Sequence, residues 1–201
     1  MENIRTFIAV DIPKEIKMEL DKLISELRPL APDIRWVKAA NLHLTLRFLG
    51  DIPRDSVAGL AEKLRENLRE FSEFEASLSG LGGFPNLRKP RVIWIGGGKG
   101  SERFAELAPL VESACIDCGY GKADKPFSAH LTIGRVKFPK GHEKLSELIE
   151  NLQFESPLFM ADEIAIIKSD LSPAGPKYTR LETVKLKPNR ADDHDNGDPQ
   201  R

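Results

Sequence analysis

The chain has 201 residues, of which 40% are hydrophobic and 30% charged, with a formal net charge of −1, four histidines and two cysteines. That balance supplies a buried core and excludes a disordered chain. The near-neutral charge excludes an overall basic field for nucleic acid, although 30 Lys and Arg leave room for a local basic site. TFIAVDIP, residues 6–13, is a short apolar run stopped by proline and predicts a strand. Ile16, Leu20, Leu23, Ile24 and Leu27 then fall at helical spacing in a helix from Lys14 to about Leu30, ended by Pro29 and Pro32. IRWVK is a short strand, and LHLTLRFLG is a strand closed by Gly50. PRDSVAGLAEKLRENLREF is a helix with Asp55 as N-cap and an apolar stripe of Val57, Leu60, Ala61, Leu64 and Leu68. EFEASLSGLGGFPN is a strand breaking into a glycine-rich turn.

The order then repeats. PRVIWIGGG is a strand, SERFAELAPLVESACIDCG a helix from Ser101 to a capping Gly119, FSAHLTIGRVKF a strand and GHEKLSELIENL a helix. FMADEIAIIKSDL is strand-like, SPAGPKY a turn and TRLETVKLK a final alternating strand. A displacement of 87 residues carries Ile8 onto Ile95 and His43 onto His130, which is an internal duplication. The expected fold is α+β, with two lobes related by a pseudo-twofold axis, helices on the outer faces and a groove near the axis. Residues 1–187 form the domain, and the polar, aperiodic residues 188–201, with His194, are expected to be a disordered tail. Apolar runs fall far short of a membrane span and MENIRTFIAVDIP lacks a signal-peptide layout, so the expected location is cytoplasmic. Cys115 and Cys118 form one C-x-x-C near a helix end, without further ligands at zinc spacing, and read as small packed residues.

In each H-x-T strand, alternation points histidine and threonine to one face: His43 and Thr45 in one, His130 and Thr132 in the other. Leu44, Leu46 and Phe48, and likewise Leu131 and Ile133, point to the core. Symmetry then gathers two imidazoles and two hydroxyls at one point. Two histidines suit paired acid–base catalysis, because imidazole titrates near neutrality and can take or give a proton. Threonine hydroxyls donate to an anion, and a tetrahedral phosphodiester offers oxygens on all the required sides. Arg135 is a candidate phosphate cation, although strict alternation puts it on the wrong face unless the strand breaks at Gly134.

Two H-x-T motifs in register resemble the 2H phosphoesterase superfamily, and the finer pattern resembles its RNA 2′,3′-cyclic phosphodiesterase branch, also called 2′-5′ RNA ligases. RTFIAVDIP, WVKAANLHLTLRFLGD, GGFPNLRKPRVIWIG, KPFSAHLTIGRVK and SDLSPAGPKYTRLETVKL carry that resemblance and span the chain to Lys187. It implies an antiparallel sheet in each lobe and hydrolysis of a terminal RNA 2′,3′-cyclic phosphate to a 2′-phosphomonoester without metal or cofactor. His43 would be the general acid, His130 the general base, and Thr45, Thr132 and Arg135 the phosphate holders. The implied partners are RNA ends, including tRNA halves that relatives join reversibly through 2′-5′ bonds, and the protein is expected to be a monomer. Kept open beside this are a phosphodiesterase for another 2′-5′ or cyclic nucleotide and a non-catalytic RNA-end binder.

Four more residues are candidate RNA contacts. Arg47 shares the parity of His43 and either reaches the RNA backbone or is solvated. Phe84 and Phe127 are placed to flank the groove, and Tyr178 to brace it. Trp94 is assigned to the core. Lys38, Arg88, Lys89 and Arg91 are candidates for a basic rim, and His142 is expected to be an exposed helix residue.

Overall fold

The computed structural model describes residues 2–138, 143–173 and 175–189. His142, expected to be an exposed helix residue, and the tail beyond Asn189 with His194 lie outside the described residues. The elements run β1 (Asn3–Asp11), α1 (Lys14–Leu27), β2 (Arg35–Trp36), β3 (His43–Pro53), α2 (Val57–Leu68), β4 (Phe74–Ala76) and β5 (Leu78–Phe84). They continue as β6 (Val92–Gly97), α3 (Ser101–Asp117), β7 (His130–Arg135), α4 (Glu143–Asn151), β8 (Phe159–Ala161), β9 (Glu163–Ser172) and β10 (Gly175–Lys185).

The fold is α+β with two lobes. One antiparallel sheet has the strand order β10-β9-β1-β3 and the other β2-β7-β6-β5. The 87-residue displacement carries β1 onto β6, α1 onto α3, β3 onto β7, α2 onto α4, β4 onto β8 and β5 onto β9. Three strands of each sheet are therefore copies of three in the other. β2 and β10 have no counterparts, and each flanks its sheet on a different side.

Two strands anticipated as continuous are broken. Ser77 separates β4 from β5, and Asp162 separates β8 from β9. Both breaks are pinned by backbone bonds: Ser77 N–H donates to the Lys99 carbonyl, and Leu186 N–H donates to the Asp162 carbonyl. The detached pieces β4 and β8 pair with each other across the lobes, with Phe74 opposite Ala161. Those two residues are equivalent under the duplication, so the pseudo-twofold axis passes through that pair. Asp55 does not cap α2; residues 54–56 form a 3-10 turn and Ser56 holds the N-cap position.

One continuous apolar core runs through both lobes. It takes Ile16, Leu20, Leu23, Ile24 and Leu27 from α1, and Phe104, Leu107, Val111 and Ala114 from α3. Leu44 and Leu131, each between a histidine and a threonine, are fully buried in it. Their burial anchors the two H-x-T strands and turns the alternate side chains toward the groove. Replacing either leucine with alanine is expected to cost about 2–5 kcal/mol by lost transfer energy and a residual cavity, read as a lowered midpoint in denaturant unfolding.

Candidate active site

Each histidine strand carries an extra residue at the same place, and β3 carries a second one further on, at Leu49. In β3, Ala9 pairs with Thr45 but Ile8 pairs with Arg47, so Leu46 is the bulged residue. In β7, Trp94 pairs with Thr132 but Ile93 pairs with Gly134, so Ile133 is bulged. Both bulges fall three residues after the histidine. An extra residue shifts the pleat by one, and every side chain beyond it changes face.

This shift explains one expectation and overturns two. Arg135 stands opposite Val92, on the face that also holds His130, Thr132 and Trp94, so the break required for its placement exists. Gly134 turns toward the packed side, where a Cβ would meet Ile34 at 3.0 Å and the Trp36 ring at 3.2 Å. In β3 the same shift turns Arg47 inward, to 8% exposure, instead of leaving it beside His43 and Thr45. Phe48, assigned to the core by simple alternation, is 59% exposed and stands opposite Phe7 on the groove face. Nothing local in LTLRF marks the bulge; comparison with LTIGR was the one available signal.

The two imidazoles are held in the same way. His43 Nδ1 lies 2.8 Å from the Asn41 carbonyl, and His130 Nδ1 lies 2.8 Å from the Ser128 carbonyl. A carbonyl only accepts, so Nδ1 carries the hydrogen in both, and Nε2 is the nitrogen left to exchange a proton. Their surroundings differ. His43 stacks on Phe7 at 4.6 Å and meets the Tyr178 ring edge-on at 5.2 Å. Burial pushes its pKa down to about 4; the Asn41 carbonyl and the Asp11 charge offset only part of this, and Lys17 and Arg135 add to it. His43 is therefore neutral at pH 7 in the free protein. His130 is half-buried and meets the Phe84 ring edge-on at 5.1 Å.

Other candidates take definite places. Trp94 is not core: it pairs with Thr132, lies half-buried on the groove face and packs against Phe84 at 5.2 Å. Its ring lies flat on Gly82, where a Cβ would stand 2.2 Å from it. Phe127 is half-buried against the main core. Tyr178 covers a separate apolar floor on the first sheet formed by Phe7, Ala9, Ala165 and Ile167. Asn41 Nδ2 donates to the Pro176 carbonyl at 2.9 Å, tying the β9–β10 hairpin to the start of β3. Lys38, Arg88, Lys89 and Arg91 are exposed.

Sequence reasoning missed a charged group beside His43. Asp11 stands opposite His43 in the ladder and binds Lys17 at 2.6 Å and Arg180 at 2.8 Å. Burial raises the Asp11 pKa, but the hydrogen bond and charge of Lys17, the Ile12 N–H and the Arg180 charge together outweigh it, and the net shift is downward. Asp11, Leu42, His43, Ile167, Tyr178 and Arg180 border a cavity of about 140 Å³. The signal was the polar end of TFIAVD, whose partner across the ladder only pairing reveals. No group of three or more potential metal ligands occurs among the described residues. Cys115 is buried and its thiol is pushed up to about 12, mainly by burial, so it is not a nucleophile at neutral pH.

Arg47 joins the two motifs from inside. Its Nε lies 3.0 Å from Glu112 on α3, and another guanidinium nitrogen donates to the Gly121 carbonyl at 3.0 Å. Glu112 also accepts from Ala123 N–H at 2.6 Å. The first histidine strand thereby holds the loop that leads to the second.

A duplicated sheet pair that turns two H-x-T strands toward one groove is the architecture of the 2H phosphoesterases. The profile of the LigT like Phosphoesterase family matches residues 10–94 and again 98–178, one copy on each half. The chain belongs to that family. It is 34% identical over 184 residues to the RNA 2′,3′-cyclic phosphodiesterase of Methanothermobacter thermautotrophicus, covering 91% of this chain and 99% of that one. It is also 34% identical to the protein of that name from Thermotoga maritima, covering 88% and 92%. Among solved structures, TT0787 of Thermus thermophilus superposes with a TM-score of 0.76 at 28% identity, covering 92% and 100%. E. coli LigT complexed with 3′-AMP superposes at 0.73 and 25% identity, covering 92% and 99%.

Two outcomes are expected from this geometry. Arg47→Ala removes one partner of a largely buried ion pair and should lower stability by about 2–3 kcal/mol, while changing the affinity for a 2′-nucleotide less than about threefold. Calorimetry of unfolding and of binding separates the two. The second concerns pH. Because the His43 pKa is lower folded than unfolded, folding favours the neutral ring. That contribution is present above pH 6.5 and is lost as pH falls toward about 4. The wild type should lose stability across that window by on the order of 3 kcal/mol more than His43→Gln, in denaturant titrations at stepped pH.

Proposed function

We propose that this enzyme hydrolyses the terminal 2′,3′-cyclic phosphate of RNA to a 2′-phosphomonoester, using His43 and His130 as acid and base. The observation that carries the proposal is the matched fixing of both imidazoles, Nδ1–H to a carbonyl two residues earlier and Nε2 left free. The names of the relatives at about one-third identity over most of the chain support the substrate class. The wetter His130 takes a proton from water at Nε2 as the water oxygen bonds to phosphorus. His43 gives a proton from Nε2 to O3′ as the phosphorus–O3′ bond breaks. Thr45, Thr132 and Arg135 hold the non-bridging oxygens.

The two roles ask for opposite protonation states, and the surroundings bear on how each arises. His43 is half-buried against Phe7 and Tyr178 and is neutral when free. A bound phosphate brings negative charge into that dry site and favours the imidazolium. The substrate thus recruits the proton that its leaving group needs, and an imidazolium in such a place is a strong acid. No helix among the described residues is long and apolar enough to cross a membrane. We place the reaction in the cytoplasm, carried out by a monomer on RNA ends that include tRNA halves.

With a short RNA ending in a 2′,3′-cyclic phosphate and EDTA present, His43→Ala and His130→Ala are each expected to lose about 10²–10⁴-fold in kcat. The product should carry phosphate on O2′, as read by phosphorus NMR. Full activity in both variants, or a 3′-phosphate product, would overturn the proposal.

A further inference from the structure

The two ends of the groove differ in charge balance. At the Asp11 end the cations are matched: Lys17 and Arg180 bind Asp11, Arg180 also binds Glu163, and Lys185 binds Asp162 and Glu163. The other end carries Arg5, Arg35 and Arg135, all exposed. Arg5 lies on β1 with the parity of Phe7, Ala9 and Asp11, hence on the groove face of the first lobe. Arg35 stands directly opposite Arg135 in the β2–β7 ladder, so both point into the groove from the second lobe. Burial raises the Tyr178 pKa, and the charges of Arg135 and Arg5, one from each lobe, lower it in part.

Like charges directly opposite in a ladder are destabilising. Yet among the described residues no carboxylate closes an ion pair with Arg5, Arg35 or Arg135; Asp51 faces Arg5 across the ladder without reaching it. β2 is also one of the two strands outside the duplication, so the Arg35–Arg135 pair is not a by-product of the repeat. One arginine suffices for the terminal phosphate. Three clustered at one end suit a second anion a short distance away.

We propose that Arg5 and Arg35, beside Arg135 and the Tyr178 hydroxyl, form a second phosphate subsite. It would hold the phosphodiester that joins the terminal nucleotide to the rest of the RNA strand. The inference rests on the RNA-end function above. A cyclic phosphate occupies the 3′ terminus, so the strand continues only in the 5′ direction, and the next anion is that phosphodiester. A cyclic mononucleotide lacks this group and gains nothing from the subsite. The strand therefore leaves the groove past Tyr178, away from the neutralised Asp11 end.

The test compares 2′,3′-cyclic AMP with an adenylate trimer ending in a 2′,3′-cyclic phosphate, for the wild type, Arg5→Ala and Arg35→Ala. Each variant should raise KM for the trimer about tenfold, leave both constants for cyclic AMP within about twofold, and flatten the salt dependence of the trimer KM by ~0.7 in log–log slope. Arg5→Lys should restore part of the loss. Equal losses on both substrates, or none on either, would overturn the subsite while leaving the hydrolytic function standing. Fluorescence anisotropy with the 2′-phosphorylated trimer and with 2′-AMP reads the subsite without turnover. A wild type that prefers the trimer, with the preference lost in both variants, supports the subsite even if neither cyclic substrate is hydrolysed; that result would overturn the hydrolytic function alone. No preference in the wild type would overturn the subsite.

Discussion

An extra residue three positions after each histidine decides which side chains meet in the groove. Up to Thr45 and Thr132 the strands alternate simply, and the histidine and threonine of each share a face. Leu46 and Ile133 then break the pleat, and the residues after them change sides. Without the second bulge, Arg135 would point into the packing around Ile34 and Trp36 and Gly134 would face the groove. Without the first, Arg47 would lose Glu112 and Gly121, and the loop before His130 would lose its internal anchor. The groove's composition and the clamp between the two motifs follow from the same local irregularity.

Duplication builds a symmetric frame, and the strands outside it break the symmetry. Each histidine is fixed by an equivalent backbone carbonyl and met edge-on by one aromatic ring. The ring over His43 comes from β10 and the ring near His130 from β5, and these strands are not copies of one another. Under the 87-residue displacement Phe7 corresponds to Trp94, Asp11 to Gly98 and Phe48 to Arg135. A carboxylate and a stacked phenyl ring therefore surround one imidazole, whereas the other has a guanidinium on its own sheet face. Paired acid–base work needs one imidazole charged and the other neutral at once, and differing surroundings bias which is which. His43, packed against Phe7 and Tyr178, and His130, met by Phe84, differ in their surroundings.

Much of this arrangement was legible in the chain itself. The helices were visible because their apolar residues recur at helical spacing, and Ile16, Leu20, Leu23, Ile24 and Leu27 are the residues α1 buries. The duplication was visible because H-L-T recurs in the same order of elements. Less visible were Phe48, Arg47 and Trp94, each misplaced by the rule that strand faces alternate. For Phe48 and Arg47 a bulge defeats the rule. For Trp94, an apolar residue in an apolar strand, the rule fails because the groove face is itself lined with rings: the indole rests on Gly82 and Phe84 covers it.

By itself the sequence determined the two-lobed α+β frame, the pair of H-x-T strands and their burial through Leu44 and Leu131. These depend on local periodicity and on repetition, which a linear chain displays. Only the tertiary structure decided that Asp11 lies across from His43, that the β9–β10 hairpin reaches Asn41, and that Arg35 stands opposite Arg135. Those contacts join residues far apart in the chain, and strand register and pleat phase select them. A single bulged residue resets both; Gly134 in LTIGR hints at one, and LTLRF has no such mark.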